Sequence, residues 1–171
     1  VSEPGKGSRF SVMLPWEPAL AVDTVERLKI TGKFKAVKFN RDQKPTILLM
    51  EDTEEVIMML SDYLELNGFK IITARDGLEG ITQAQLTHPD LILMDIQMPR
   101  MDGFETAKKL RSEPEFKTTP IIALTALAMQ NDRERCLAAG MDEYITKPVH
   151  LRALVKMIEL FLSGEAEVKK P

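Results

Sequence analysis

The sequence predicts an α/β fold built on a doubly wound parallel sheet of five strands. Short apolar runs alternate five times with amphipathic stretches, which is typical of strands connected by crossover helices. Two of the runs, residues 91–94 and 121–124, are apolar throughout, as expected for strands that helices cover on both faces. Carboxylate, hydroxyl or ammonium side chains follow four of the five runs, where open parallel sheets bind ligands.

The strand and helix pairs follow one another between residues 45 and 162. Residues 45–50 form the first β-rich run, and Val56, Leu60 and Leu64 then recur at helical spacing before Gly68 ends the helix. The later strands are predicted at FKIITA, DLILM, PIIAL and EYIT, and the later helices at DGLEGITQAQL, at GFETAKKLRS, around residues 131–139 and at LRALVKMIELFL. We therefore predict one domain over residues 45–162.

The segments outside this domain have a different character. Residues 17–44 carry seven Lys or Arg against four Asp or Glu and are predicted to be a linker, since a long structureless segment is unusual within a compact domain. Residues 163–171 are predicted to be a tail too short to fold alone. Residues 1–16 contain a glycine-punctuated turn followed by an alternating strand, the period typical of a half-buried strand.

The composition excludes several classes of function. The chain has 171 residues, 44% of them hydrophobic, and no apolar run approaches the roughly 18 residues that a membrane span requires. The formal net charge of −3 gives no basic surface for nucleic acid. Cys136 is the single cysteine, so no intramolecular disulfide can form. We expect a cytoplasmic protein without direct contact with membranes or nucleic acid.

The candidate site lies beyond the carboxyl ends of the strands. Glu51 and Asp52 follow the first strand, Asp95 the third, Thr125 the fourth and Lys147 the fifth, and these ends meet at one edge of the sheet. The second strand ends in Ala74 and Arg75 and is expected to contribute nothing, which fits a strand order that places it at the outside of the sheet.

Three neighbouring carboxylates need cations. A like-charge pair at about 4 Å costs around 4 kcal/mol at an effective dielectric near 20. Lys147 supplies one positive charge, and Mg²⁺ suits a site that offers few carboxylates and leaves positions for water or phosphate. Asp95 is held by its strand and can act as a nucleophile that forms an acyl phosphate.

Four motifs resemble those of the response-regulator receiver domain: MED at 50–52, DIQMPRMDG at 95–103, ALTA at 123–126 and YITKP at 144–148. The resemblance spans the whole predicted domain. It implies a flavodoxin-like (βα)5 fold with strand order 2-1-3-4-5 and a partner that is a histidine kinase core or a histidine phosphotransfer protein.

The resemblance also implies roles for the site residues. Asp95 would accept a phosphoryl group from a phosphohistidine in a two-component phosphorelay. Mg²⁺ would be bound by Asp52, by Asp95 and by the backbone carbonyl of Gln97, with Glu51 supporting the metal through water. Lys147 and Thr125 would hold the phosphoryl oxygens.

The resemblance further implies a switch and leaves one property open. Thr125 would move toward the phosphate and Tyr144 would turn inward, remodelling the face formed by the fourth helix, the fifth strand and the fifth helix. The peptide bond between Lys147 and Pro148 is usually cis in such domains. Glu51 replaces the commoner Asp, and Gln97 and Leu127 occupy positions that tune loss of the phosphoryl group, so the lifetime of the phosphate is not predicted.

The stretch SEPGKGSRFSVMLP resembles the last hairpin of a histidine-kinase ATP-binding domain. The parent protein would then be a hybrid sensor kinase, of which this chain lacks the ATP-binding and phosphoacceptor-histidine segments. Gly5 and Gly7 are turn glycines in this interpretation, because no Gly-Lys-Ser/Thr follows as in a phosphate loop. The apolar edge of the strand could pair with a second copy to give a homodimer.

Two other functions are compatible with parts of the pattern. An aspartyl-phosphate hydrolase would also use an Asp at a strand end with Mg²⁺, but such enzymes carry a second Asp where this chain has Gln97. A binding module that signals without phosphate would not need the five site residues. Asp102 is expected to cap a helix, and Met94, Met98 and Met101 to fill the core rather than bind copper.

Overall fold

The computed structural model describes residues 44–126 and 130–164, and the side chains of residues 130–132 are left out of that description. The predicted hairpin at 1–16, nearly all of the predicted linker at 17–44, Leu127 and most of the predicted tail at 163–171 lie outside the described residues. The strands are β1 (Thr46–Met50), β2 (Lys70–Ala74), β3 (Leu91–Asp95), β4 (Ile121–Thr125) and β5 (Glu143–Thr146). The helices are α1 (Glu54–Leu66), α2 (Gly77–Thr87), α3 (Gly103–Ser112), α4 (Gln130–Ala138) and α5 (Leu151–Ser163), and a 3₁₀ turn covers Pro114–Phe116.

The five strands form one parallel sheet in the order β2-β1-β3-β4-β5. The predicted fold class and strand order are confirmed. Every residue of β3 and of β4 is buried, which explains why both strands are apolar almost throughout. The chain leaves β1 at Met50, so that Glu51 and Asp52 lie in the loop at the carboxyl edge.

Two hydrophobic cores lie on the two faces of the sheet, because successive side chains of a strand point to opposite faces. The α1–α5 core holds one set of strand residues with the buried faces of α1 and α5: Ile47, Leu49, Leu91, Leu93, Ile122, Leu124, Leu60, Leu64, Leu154, Ile158 and Phe161 are among its members. The α2–α4 core holds the alternate set with α2, α3 and α4: Leu48, Met50, Ile92, Met94, Ala123, Ile81, Ala84, Ala107, Leu110 and Cys136 are among its members. Leu60 and Leu64, two of the residues at the predicted helical spacing, are buried in α1, whereas Val56 is only half-buried and Ile57 is the buried residue in that turn.

The amino edge of the sheet is held together by Arg111, at the end of α3. Its side chain donates hydrogen bonds to the carbonyl oxygens of Gly140 and Thr119 at 2.7 and 2.8 Å and to that of Phe116. It also pairs with the Asp142 carboxylate, at 2.6 Å between Nη2 and Oδ2. These bonds join α3 to the starts of β4 and β5, at the edge opposite the candidate site. None of the described helices combines the length and the apolar character that a membrane crossing requires.

Candidate functional site

Three carboxylates meet at the carboxyl edge of the sheet, as predicted. Glu51 and Asp52 come from the loop after β1, and Asp95 is the last residue of β3. One carboxylate oxygen of each lies within 4.8 Å of the others. Glu51 is 0% exposed and Asp95 is 5% exposed, whereas Asp52 is open to solvent. The cluster is therefore a buried acidic pair with one accessible side.

Lys147 lies between the two buried carboxylates. Its Nζ donates a hydrogen bond to Glu51 Oε2 and another to Asp95 Oδ2, each at 2.7 Å. The backbone N–H of Lys147 also donates to the carbonyl of Thr125 at 2.7 Å, which fixes the start of the loop after β5. One cation thus holds two carboxylates from two different strand ends in one place.

Burial and charge act against each other in this cluster. Burial raises the pKa of Glu51, the hydrogen bond from Lys147 opposes that rise, and the neighbouring charge of Asp95 adds to it. Burial alone would lower the pKa of Lys147, but the hydrogen bonds and charges of Asp95 and Glu51 outweigh burial and raise it. Lys147 therefore stays protonated at neutral pH and serves as a fixed positive charge.

The loop after Asp95 turns back tightly on itself. Asp95 Oδ1 accepts a hydrogen bond from the Gln97 backbone N–H at 3.2 Å, and the Gly103 N–H donates to the Ile96 carbonyl at 2.9 Å. A Cβ added at Gly103 would lie 2.6 Å from the backbone oxygen of Asp95, so a larger residue does not fit without moving the backbone. The loop therefore holds Asp95 between its own turn and the start of α3.

Thr125 and Tyr144 occupy different depths of the sheet. Thr125 is the buried last residue of β4 and lies one residue beyond Leu124, the partner of Asp95 in the sheet register. Tyr144 lies earlier in β5, opposite Ala123, and packs half-buried against the α2–α4 core. Thr125 is thus at the same edge as Asp95, whereas Tyr144 lies two register positions deeper.

Several smaller predictions can also be compared with the structure. The Lys147–Pro148 peptide bond is cis. Asp102 caps α3, because its side chain accepts a hydrogen bond from the Glu105 N–H at 2.8 Å. Met94 and Met98 are buried in the α2–α4 core, as predicted, whereas Met101 is half-buried and packs against that core; Cys136 is buried there too.

The donors at the acidic cluster suit a hard divalent cation. All three side chains offer carboxylate oxygens, and Mg²⁺ prefers oxygen ligands with one or two carboxylates and several open positions for water or phosphate. The exposed side of Asp52 gives an ion access to the buried pair. Glu51, Asp52 and Asp95 are therefore the side chains that could hold Mg²⁺ here.

A fourth carboxylate, which was not predicted from the sequence, lies at this edge. Asp76 follows β2, whose end was expected to contribute nothing, and 1% of it is exposed. The pair Asp76-Gly77 ahead of an amphipathic helix is a cap signal, and Asp76 does cap α2. Its second oxygen forms an ion pair with Arg100, a contact that no sequence pattern predicts.

Comparison with known proteins gives consistent results. The family model described as "Response regulator receiver domain" matches residues 47–159. The polar-differentiation response regulator DivK of Brucella ovis is 39% identical over 121 residues, which cover 71% of this chain and 98% of that protein. The structure of the chemotaxis response regulator CheY4 of Vibrio cholerae matches with a TM-score of 0.67 and 31% identity, over 70% of this chain and 100% of that one.

A second solved structure comes from a kinase. The receiver domain of the sensor histidine kinase PA1611 from Pseudomonas aeruginosa PAO1, with a magnesium ion coordinated in its active site cleft, matches with a TM-score of 0.66 and 33% identity. The match covers 70% of this chain and 98% of that domain.

Proposed function

The chain belongs to the response regulator receiver domain family of two-component systems, and on that premise we propose that Asp95 accepts a phosphoryl group from a phosphohistidine. The observation that carries the proposal is the contact of Asp95 with Lys147, at 2.7 Å, inside an acidic cluster that is open on one side. An Asp95 oxygen attacks phosphorus, the bond between phosphorus and the imidazole nitrogen breaks, and the phosphoryl group is left on aspartate as an acyl phosphate.

The neighbouring residues have complementary roles in this proposal. Lys147 is held near Asp95 before the reaction and would bind a phosphoryl oxygen, and Thr125 would donate its hydroxyl to another. Asp52, Asp95 and the Gln97 carbonyl would bind Mg²⁺, with Glu51 supporting it through water. The ion, when bound, offsets the negative charge of the carboxylates and of the incoming group. The magnesium in the similar PA1611 receiver domain supports this assignment.

The proposed output is a change in an interaction face. Thr125 would move toward the new phosphate and Tyr144 would turn inward from its half-buried place, altering the surface formed by α4, β5 and α5. The phosphodonor would be a histidine kinase core or a histidine phosphotransfer protein in the cytoplasm. A hybrid-kinase parent is supported by the similar receiver domains of two histidine kinases, 35% and 33% identical to this chain.

The direct test is phosphorylation by a small phosphodonor such as phosphoramidate in the presence of Mg²⁺. Mass spectrometry of peptides should locate one phosphoryl group, on Asp95. Asp95→Asn should take up none, whereas the matched control Asp102→Asn, in the same loop, should be labelled like the wild type. Labelling of Asp95→Asn to the wild-type extent would reject the assignment.

A further inference from the structure

Asp76 carries a buried charge that its capping role does not require. Its Oδ1 accepts hydrogen bonds from the backbone N–H groups of Leu78 and Glu79, at 2.8 and 3.0 Å, at the start of α2. Asparagine caps helices as well as aspartate does. The cap therefore explains one oxygen of Asp76 but not the buried negative charge.

The second oxygen of Asp76 faces Arg100. Within residues 44–126 and 130–164, Oδ2 has no hydrogen bond of ordinary geometry, and the guanidinium of Arg100 lies against it as an ion pair. An unpaired buried carboxylate would be strongly unfavourable. The side chain of Arg100 is 64% exposed, so it reaches from the surface to a buried partner. The pair thus ties the loop that carries Arg100 to the turn before α2.

Arg100 has an unfavourable backbone conformation, which surrounding contacts have to stabilise. Its φ is 65°, in the left-handed region, which costs a residue other than glycine on the order of 1 kcal/mol or more. Conformations of this kind persist where surrounding contacts hold them in place. The ion pair with Asp76 is a contact that can do so.

The turn before α2 and the loop after β3 are also in close contact. A Cβ added at Gly77 would lie 2.0 Å from Thr106 Oγ1 and 2.9 Å from the backbone oxygen of Met101. The two segments therefore have no space to move toward each other, and the ion pair keeps them from separating. The loop tip between Gln97 and Met101 is thus held from the β2 side.

We propose that Asp76 is a positioning residue for the metal and phosphoryl site, acting through Arg100 on the loop that carries Gln97. The inference rests on the proposed function, because the Gln97 carbonyl is a proposed metal ligand. The loop is closed at its base by the bond from Gly103 N–H to the Ile96 carbonyl, and Arg100 fixes its tip. The carbonyl is then oriented before the ion arrives, which saves the free energy of ordering it on binding.

The test is the Mg²⁺ dissociation constant of the full chain, measured by isothermal titration calorimetry. Both Asp76→Asn and Arg100→Gln should weaken Mg²⁺ binding about tenfold, the lower end of the effect of losing a group that orients a metal ligand. A long-range charge effect would act differently. Loss of the carboxylate would weaken binding of a cation, and loss of the guanidinium would strengthen it. If both variants weaken Mg²⁺ binding, the effect is therefore one of positioning the metal ligand rather than of long-range charge.

The double variant and the controls sharpen the result. Asp76→Asn with Arg100→Gln should bind Mg²⁺ no more weakly than either single variant, because both remove the same contact. Asp90→Asn makes the same charge change at the opposite edge, where Asp90 Oδ2 accepts from the Thr46 N–H, and should leave Mg²⁺ affinity unchanged. Arg152→Gln, on the exposed side of α5, is the matched control for the arginine and should also leave it unchanged.

Arg100→Gly separates affinity from stability. Glycine relieves the left-handed backbone but removes the ion pair with Asp76, as Arg100→Gln does, so the melting temperature without metal should be higher for Arg100→Gly than for Arg100→Gln, while Mg²⁺ affinity falls in both. Arg100→Gln or Arg100→Gly binding Mg²⁺ as tightly as the wild type would overturn the inference while leaving the labelling of Asp95 intact. Failure of the wild type to bind Mg²⁺ would overturn the inference and the proposed metal ligands together, and failure to label Asp95 would reject the proposed function.

Discussion

Lys147→Met should lower the free energy of unfolding by about 3–5 kcal/mol in metal-free buffer, the usual cost of removing one partner of a buried ion pair. The Lys147 ammonium bonds both Glu51 and Asp95 at 2.7 Å, and these carboxylates are 0% and 5% exposed. Without the cation, two buried negative charges face each other. A domain of this kind has a total stability of about 5–15 kcal/mol, so the loss is easily measured.

Mg²⁺ should reduce the difference between variant and wild type. The ion and the ammonium act on the same carboxylates, so removing Lys147 removes a competitor and should tighten Mg²⁺ binding. Each tenfold gain in affinity adds about 1.4 kcal/mol of stabilisation at saturating Mg²⁺. The stability gap of about 3–5 kcal/mol should therefore narrow by at least about 1 kcal/mol for a gain near tenfold.

The assay is urea denaturation followed by circular dichroism, once with chelator and once with saturating Mg²⁺. Lys156→Met, on the exposed side of α5, is the matched control and should change little. The triple variant Glu51→Gln, Asp95→Asn, Lys147→Met should recover most of the loss, because it removes the whole group of charges. Wild-type stability of Lys147→Met in chelator, or a gap that Mg²⁺ does not narrow, would refute the reasoning.

Three further predictions follow from other contacts. Burial raises the pKa of Glu143 from its ordinary value of 4.5, so the folded state binds this proton more tightly than the unfolded state, and stability falls as pH rises through the folded pKa. Glu143→Gln cannot titrate at this position, so its stability does not fall in this way, and its melting temperature minus that of the wild type should be larger at pH 7 than at pH 4. The same difference in melting temperature at the two pH values would contradict the prediction. Arg111→Met removes the guanidinium from Asp142 and should lower the free energy of unfolding, measured by urea denaturation, by about 3–5 kcal/mol. Adding Asp142→Asn should recover part of this loss, and the labelling rate of Asp95 in the folded protein should not change. Gly103→Ala forces a Cβ against the Asp95 backbone and should cost about 1–3 kcal/mol and slow the labelling of Asp95; wild-type stability and rate would show that the loop can yield.

The sheet and the acidic cluster could be predicted because each depends on local pattern and on one topological rule. Leu91 to Met94 form a continuous apolar run, which is expected of a strand covered on both faces. Parallel strands bring their carboxyl ends to one edge, so residues far apart in sequence, such as Glu51 and Lys147, could be placed together once the strands were assigned.

The contacts of Asp76 and Arg111 could not be predicted in this way. Arg111 has the sequence context of a surface cation in the last turn of a helix, yet its partners lie in two other segments, one before β4 and one before β5. Asp76 could be identified as a cap, but the direction of its second oxygen depends on how closely two loops approach. Such pairings depend on how close two segments lie in the folded protein. Neither the spacing of apolar residues nor the residues that favour turns predicts that distance.

The division of the interior by the sheet has a consequence for how relatives of this chain diverge. Leu48 and Leu49 are neighbours in the chain but belong to different cores. If the side chain at one of these positions becomes smaller, residues that pack against the other cannot fill the space. Compensating substitutions should therefore pair Leu49 with residues such as Leu60, and Leu48 with residues such as Ile81. Substitutions in the helices on one face of the sheet should therefore be compensated by residues on the same face, independently of substitutions on the other face.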